Sequence, residues 1–216
     1  VQMREGKSLI EAKGKIAHKG QVDTVLVGRD LRLEQSETLG RMGLDLNGKL
    51  DFTMAILGEL PRPRVELNGR ISKLIVGDKA ADDSNFKLVV ESDRLTGSAS
   101  LLGKMVTTDF QWPLENGVPF EFNFNSRKWD FTQLFQILSQ SARQKNFETQ
   151  VTSRIHLKSA SGSFWDSSGS VLIEDVSLKR GTLQLSSNKP MLLEIGNGKI
   201  SSKNFVMEGE NSFLRL

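Results

Sequence analysis

The chain is 216 residues long, 38% of them from the set AVILMFWYC; its 19 glycines bring the apolar share to about 47%, within the ~45–50% of globular chains, so disorder by composition is excluded. The formal charge of +3, from 29 basic and 26 acidic residues interspersed along the chain, gives no argument for nucleic acid, whose binders gather Lys and Arg on one face or helix. With no Cys and only two His, disulfides, thiolate metal sites, Fe–S clusters and thiol nucleophiles are excluded.

Along the chain the dominant signal has a period of two. His18, between Ala17 and Lys19, lies in a stretch with Lys and Gly and is expected at the surface. From 44 to 56 the even positions are Leu44, Leu46, Gly48, Leu50, Phe52, Met54 and Ile56, and the odd ones Asp45, Asn47, Lys49, Asp51, Thr53 and Ala55. One face is apolar and the other wet, as in a half-buried antiparallel strand. Pro61, Arg62, Pro63 and Arg64 make a short stiff break. Alternation resumes at Val65/Leu67/Ile71 and, beyond a polar loop at 77–84, at Phe86/Leu88/Val90, Leu95/Ala99/Leu101 and Phe120/Phe122/Phe124.

Residues 130–144 depart from this period. Phe131, Leu134, Phe135 and Leu138 fall at i, i+3, i+4 and i+7, and Asp130 with Gln133 resembles a capping box. One amphipathic helix of about four turns is predicted there, either covering part of the sheet or docking on a membrane surface or partner. Little positive charge precedes Arg143 on its Gln- and Ser-rich polar face, which weakens the membrane-surface version. Strand alternation returns at Val151/Ile155/Leu157, passes a polar loop at 159–169, and continues at Val171/Ile173, Leu183/Leu185, Met191/Leu193/Ile195 and Phe205/Met207. The pairs Asn47–Gly48, Asn68–Gly69, Gly77–Asp78, Asn116–Gly117, Arg180–Gly181 and Asn197–Gly198 supply the positive φ that tight hairpins require. Asn47–Gly48 sits inside a good alternating run, so a bulge or strand glycine is the other reading there. About fifteen short strands at ~8–12-residue spacing predict an all-β fold. No composition shift or free linker divides it, so residues 1–216 are expected to form a single unit.

The chemistry-bearing residues form no catalytic pattern. Gly43, Gly48 and Lys49 match the spacing of a phosphate-binding loop, but Leu50 stands where Ser or Thr should hold magnesium, and a strand pattern runs through the motif. Gly196-Asn-Gly198 lacks the third glycine of a dinucleotide fingerprint. Two separated histidines do not make a three-ligand zinc site. His156 falls on the polar parity of its strand and is expected to face solvent. Asp82 and Asp83 read as a solvated loop pair rather than as glycosidase carboxylates. No enzyme is therefore expected, and no catalytic residue, cofactor or metal is assigned. No apolar run approaches the ~18 residues that a membrane span needs, and no signal-peptide pattern opens the chain. The start at Val1 and the ending in mid-pattern at 213–216 lead us to expect a piece of a longer protein, with any anchor or signal outside it.

Three stretches carry a resemblance. Residues 169–185 (GSVLIEDVSLKRGTLQL), 186–200 (SSNKPMLLEIGNGKI) and 204–216 (NFVMEGENSFLRL) follow one strand grammar. The run from Leu46 through Gly58-Glu-Leu-Pro-Arg-Pro-Arg to Gly69 has a glycine, strand, proline, strand unit, as does Phe120–Phe124 before the 129–138 helix. This pattern resembles the TamB-like and broader AsmA-like proteins of diderm bacteria over most of 40–216. It rests on pattern rather than a catalytic motif, and a helix within the repeat is not a required feature of it. The resemblance implies an elongated antiparallel sheet curled into an open apolar groove, a β-taco. It implies a periplasmic location as part of an inner-membrane-anchored protein. It also implies phospholipid as cargo between inner and outer membrane in outer-membrane biogenesis, and an outer-membrane TamA/BamA-type barrel as partner. On this basis Leu44, Leu46, Leu50, Phe52, Met54, Ile56, Phe120, Phe122, Phe124, Ile173, Leu193 and Phe205 are expected to line the groove. The same residues would equally form a closed dry core. A β-rich assembly module that adds strands to a partner, without carrying lipid, is the alternative from a different class. A carbohydrate-active β-solenoid has no acidic cluster to support it.

Overall fold

The computed structural model describes residues 2–5, 8–18, 20–41, 46–76, 79–115, 117–130, 132, 147–187, 189–196, 198–210 and 212–215. The strands are β1 (Gln2–Glu5), β2 (Ser8–Ile16), β3 (Gln21–Arg32), β4 (Leu46–Glu59), β5 (Arg64–Val76), β6 (Lys79–Ala81), β7 (Ser84–Glu91), β8 (Arg94–Leu101) and β9 (Val106–Pro113). They continue as β10 (Phe120–Trp129), β11 (Phe147–Ser159), β12 (Ser168–Arg180), β13 (Leu183–Ser186), β14 (Met191–Gly196), β15 (Lys199–Lys203), β16 (Val206–Gly209) and β17 (Ser212–Arg215). A 3₁₀ turn at Leu33–Gln35 and a short helix, α1 (Glu37–Arg41), lie between β3 and β4. The alternating pattern is thus realised as one open, curled antiparallel sheet. It has seventeen strands rather than fifteen. β1 (Gln-Met-Arg-Glu) and β6 (Lys-Ala-Ala) hold at most one large apolar residue each, so no alternation registers there in the sequence.

Most of the predicted helix, all but residues 130 and 132 of 130–144, lies outside the described residues. At its start the Thr132 N–H donates to Asp130 Oδ1 at 2.9 Å, the bond an N-cap carboxylate makes. Two glycine pairs are strand positions rather than turns. Asn47–Gly48 lies in β4, where the register with β5 slips between Asn47 and Lys49. Asn68–Gly69 lies in the middle of β5 with Gly69 opposite Phe86, a correction to its reading as a hairpin signal. Arg180–Gly181 does join β12 to β13, and Gly181 has φ +59°.

Pairing follows chain order as a meander from β1 through β5, then from β5 through β7, β8, β9, β10 and β11 to β12. Two long strands fork. The first part of β5 pairs β7, and its end at Leu74–Val76 pairs β6. The first part of β12, Gly169–Ile173, pairs β14; its end, Ser177–Arg180, pairs β13. From that second fork β14 continues to β15, while β13 touches β16 through Ser186 and Glu208 and β16 continues to β17.

Among the described residues, two dry cores sit at the forks. Leu33 and Leu74 are buried with Leu39, Leu46, Leu50, Ile71, Ala81 and Leu102 packed on them. Val176, Met191 and Met207 are buried with Val151, Ile173, Leu178, Leu185 and Phe205 around them. A fork brings side chains of three strands and a connection onto one strand end, so they can cover one another; a single sheet layer offers no such cover in its middle. The whole chain consequently exposes 14654 Å². A compact protein of 24.1 kDa exposes about 10,000 Å².

Candidate functional site

Side chains two residues apart on a strand share a face, and cross-strand partners extend that face sideways. The register therefore draws rows of side chains across the sheet. One row reads Ala12, Leu26, Met54, Leu67, Leu88, Gly97, Phe110, Phe122, Leu157, Gly169, Ile195, Ile200. It crosses twelve strands, about 53 Å at the usual strand spacing. A second row, about 7 Å away along the strands, reads Ile10, Gly28, Phe52, Gly69, Phe86, Ala99, Thr108, Phe124, Ile155, Val171, Leu193. On one side of these two lies Thr24, Ile56, Val65, Val90, Leu95, Trp112. On the other lie Leu31, Leu50, Ile71 and Ser84, with Leu101, Val106, Ser126, Ser153, Ile173 and Met191 continuing the line.

The predicted lining residues fall into three groups. Phe52, Met54, Ile56, Phe122, Phe124 and Leu193 lie in the rows of the open middle, each half-buried. Leu46 and Leu50 pack into the core at the first fork, Ile173 and Phe205 into the core at the second. Phe120 is only 2% exposed and packs against Trp112, ring centroids 5.3 Å apart. Leu44 lies outside the described residues. The apolar face is thus dry where the forks lie, while most side chains of its middle rows are half-buried and, among the described residues, carry no second layer.

Three glycines missing from the sequence-based list shape this face. A Cβ on Gly28 would come within 2.3 Å of the Phe52 ring, one on Gly69 within 2.2 Å of Phe86, and one on Gly97 within 2.4 Å of Phe110. Each ring lies across the backbone of the glycine directly opposite it. The readable signal was a lone glycine inside an alternating run, which marks close approach of another group.

The opposite face is polar and cross-linked by charge. Arg64 pairs with Glu91 at 3.0 Å, Lys87 with Glu66 at 2.7 Å, Arg70 with Asp83, and Arg154 with Glu174. The hydrogen bond from Lys87, then that from Asn68, holds the Glu66 carboxyl below its ordinary range. His156 stands on this face as its parity required, with Nδ1 2.7 Å from Asn123 Oδ1, and His18 is exposed. Asp83 belongs to the Arg70 pair rather than to a carboxylate pair with Asp82. Among the described residues, no group of three or more His, Cys, Asp or Glu side chains is placed to hold a metal ion, and no helix is long and apolar enough to cross a membrane. Compared with protein-family models, curated proteins and solved structures, the chain matches none.

Proposed function

We propose that this chain is a segment of a periplasm-spanning, inner-membrane-anchored protein of the TamB-like/AsmA-like kind, whose apolar sheet face is a trough carrying phospholipid acyl chains between the inner and outer membrane. The observation that carries this is one apolar row across twelve strands beside a largely apolar one across eleven, most of their side chains half-buried and, among the described residues, without a covering layer. Exposing about fourteen methylenes of one acyl chain to water costs on the order of 11 kcal/mol at ~0.8 per methylene. A continuous apolar wall lowers that barrier with no chemical step, which agrees with the lack of any catalytic constellation in the sequence. The polar face keeps the same sheet wetted on its other side.

Phe122→Asp and Met54→Asp test the proposal. On an open wall the new carboxylate stays hydrated, so the fold survives while phospholipid co-purifying with the protein, read by native mass spectrometry, falls sharply. In a closed core the same substitutions unfold the chain, because a buried unpaired charge is very costly. Unfolding of both variants, seen by circular dichroism, would reject the trough.

The alternative, an assembly module adding strands to an outer-membrane barrel, has one feature in its favour. The terminal strand β17 leaves Phe213 80% exposed, whereas β15 opens with the exposed Lys199, a usual protection of an edge. Tight barrel binding with no co-purified lipid would select this function.

A further inference from the structure

Between β5 and β7 the polar face is neutralised by the cross-strand pairs described above; beside the β8–β9 turn it is not. There a cleft of about 880 Å³ is lined by Lys104, Arg127, Lys128 and Arg154 with a single carboxylate, Glu174. Glu174 is engaged by Arg154. Lys104, Arg127 and Lys128 are exposed and have no carboxylate partner among the described residues. Their grouping is built by the backbone. The β10–β11 register shifts between Ser126 and Trp129, so Arg127 and Lys128 together oppose the single residue Thr152 in a bulge, a device that re-aims side chains. The bulge is pinned on both sides: Arg127 N–H donates to the Met105 carbonyl at 2.8 Å, and Lys128 N–H to Thr152 Oγ1 at 3.1 Å. Lys104 and Lys128 both hold a left-handed backbone, φ +72° and +44°, an uncommon conformation for a long side chain. Met105, between Lys104 and the start of β9, is 43% exposed.

We propose that this cleft docks the protein on an anionic bilayer surface, with the three unpaired cations meeting lipid phosphates and Met105 entering the interfacial layer. Guanidinium and ammonium groups together suit phosphate oxygens. No donor of the cluster is buried, so a single free phosphate would meet only solvated charges, each contributing little. A surface presenting many phosphates at once engages all three, and the apolar Met105 beside them has a use only at a lipid surface. This docking does not depend on lipid carriage in the trough. Native mass spectrometry of co-purified lipid and vesicle binding report on the two separately.

The experiment is vesicle flotation of the whole chain at physiological salt, with phosphatidylcholine alone and with about a third phosphatidylglycerol. Each basic residue at an anionic surface is worth about fivefold in binding. The variant K104Q/R127Q/K128Q should therefore bind the anionic vesicles on the order of 100-fold more weakly than the wild type, and neither should bind the neutral ones. The control R64Q/R70Q/K87Q removes the same three charges from the paired region and should bind as the wild type does. Equal binding by the K104Q/R127Q/K128Q variant overturns the proposal, as does equal loss in the control, which would mean that net charge alone is read. Saturable chemical-shift changes at Arg127 and Lys128 with millimolar inorganic phosphate, without flotation on anionic vesicles, would overturn it in favour of a free-anion site.

Discussion

A phenylalanine ring resting on the bare backbone of the facing strand needs a glycine beneath it. At Gly28, Gly69 and Gly97 the space a Cβ would occupy is already filled by the rings of Phe52, Phe86 and Phe110. Glycine in a strand interior normally weakens it; here the overlying ring restores contact and shields the exposed backbone. Gly69→Val should therefore destabilise by about 1–3 kcal/mol, the usual cost of overpacking. Phe86→Leu added to it should recover part of that loss in a double-mutant cycle by urea denaturation; strict additivity would show that ring and glycine are not coupled. Half of this was legible in the sequence. Alternation puts Phe52 and Phe86 on the inward parity, and the run through Asn47–Gly48 admits a strand glycine. Asn68–Gly69 reads as a turn in the sequence because Asn-Gly is the favoured turn dipeptide, and only the register with Phe86 shows why glycine stands there. Parity alone puts His156 on the wet face, where it lies exposed.

Among the elements, the forks separate residues that look equivalent in sequence. Met191 and Leu193 are both inward residues of β14, two positions apart. Met191 is 1% exposed in the core at the second fork, while Leu193 is half-buried in an open row. Met191→Ala should cost about 2–5 kcal/mol, as truncation in a packed core does. Leu193→Ala should cost less than half as much, because most of its surroundings are not protein. Chemical denaturation of the two variants checks this, and equal losses would mean that the middle rows are as dry as the forks. Alternation cannot reveal a fork, because it records which face a side chain is on and not how many strands cover it. The first core shows the same limit. It draws Leu39 from α1 and Leu33 from the 3₁₀ turn, elements too short for helical periodicity to announce.

At the scale of the whole molecule, a sheet with one apolar face has three ways to protect it: close into a barrel, pack on a second layer, or curl while remaining open. The described ladder runs from β1 to β15 and β17 in an open sheet, and the accessible area is about half as large again as compactness would allow. Small-angle scattering should then return a radius of gyration well above the ~17 Å of a compact 216-residue domain. A value near 17 Å would mean that the sheet folds onto itself in solution and buries the rows.

The sequence by itself determined the class of the fold, because a period of two over short runs admits only strands with one wet and one dry face. It also determined which residues face inward and that no cysteine chemistry is available. Only the tertiary structure decided which inward residues are dry and which stay half-buried, which glycines carry rings, and where exposed cations gather. Those depend on strand register and on where a ladder divides, and both are set by contacts between residues far apart in the chain.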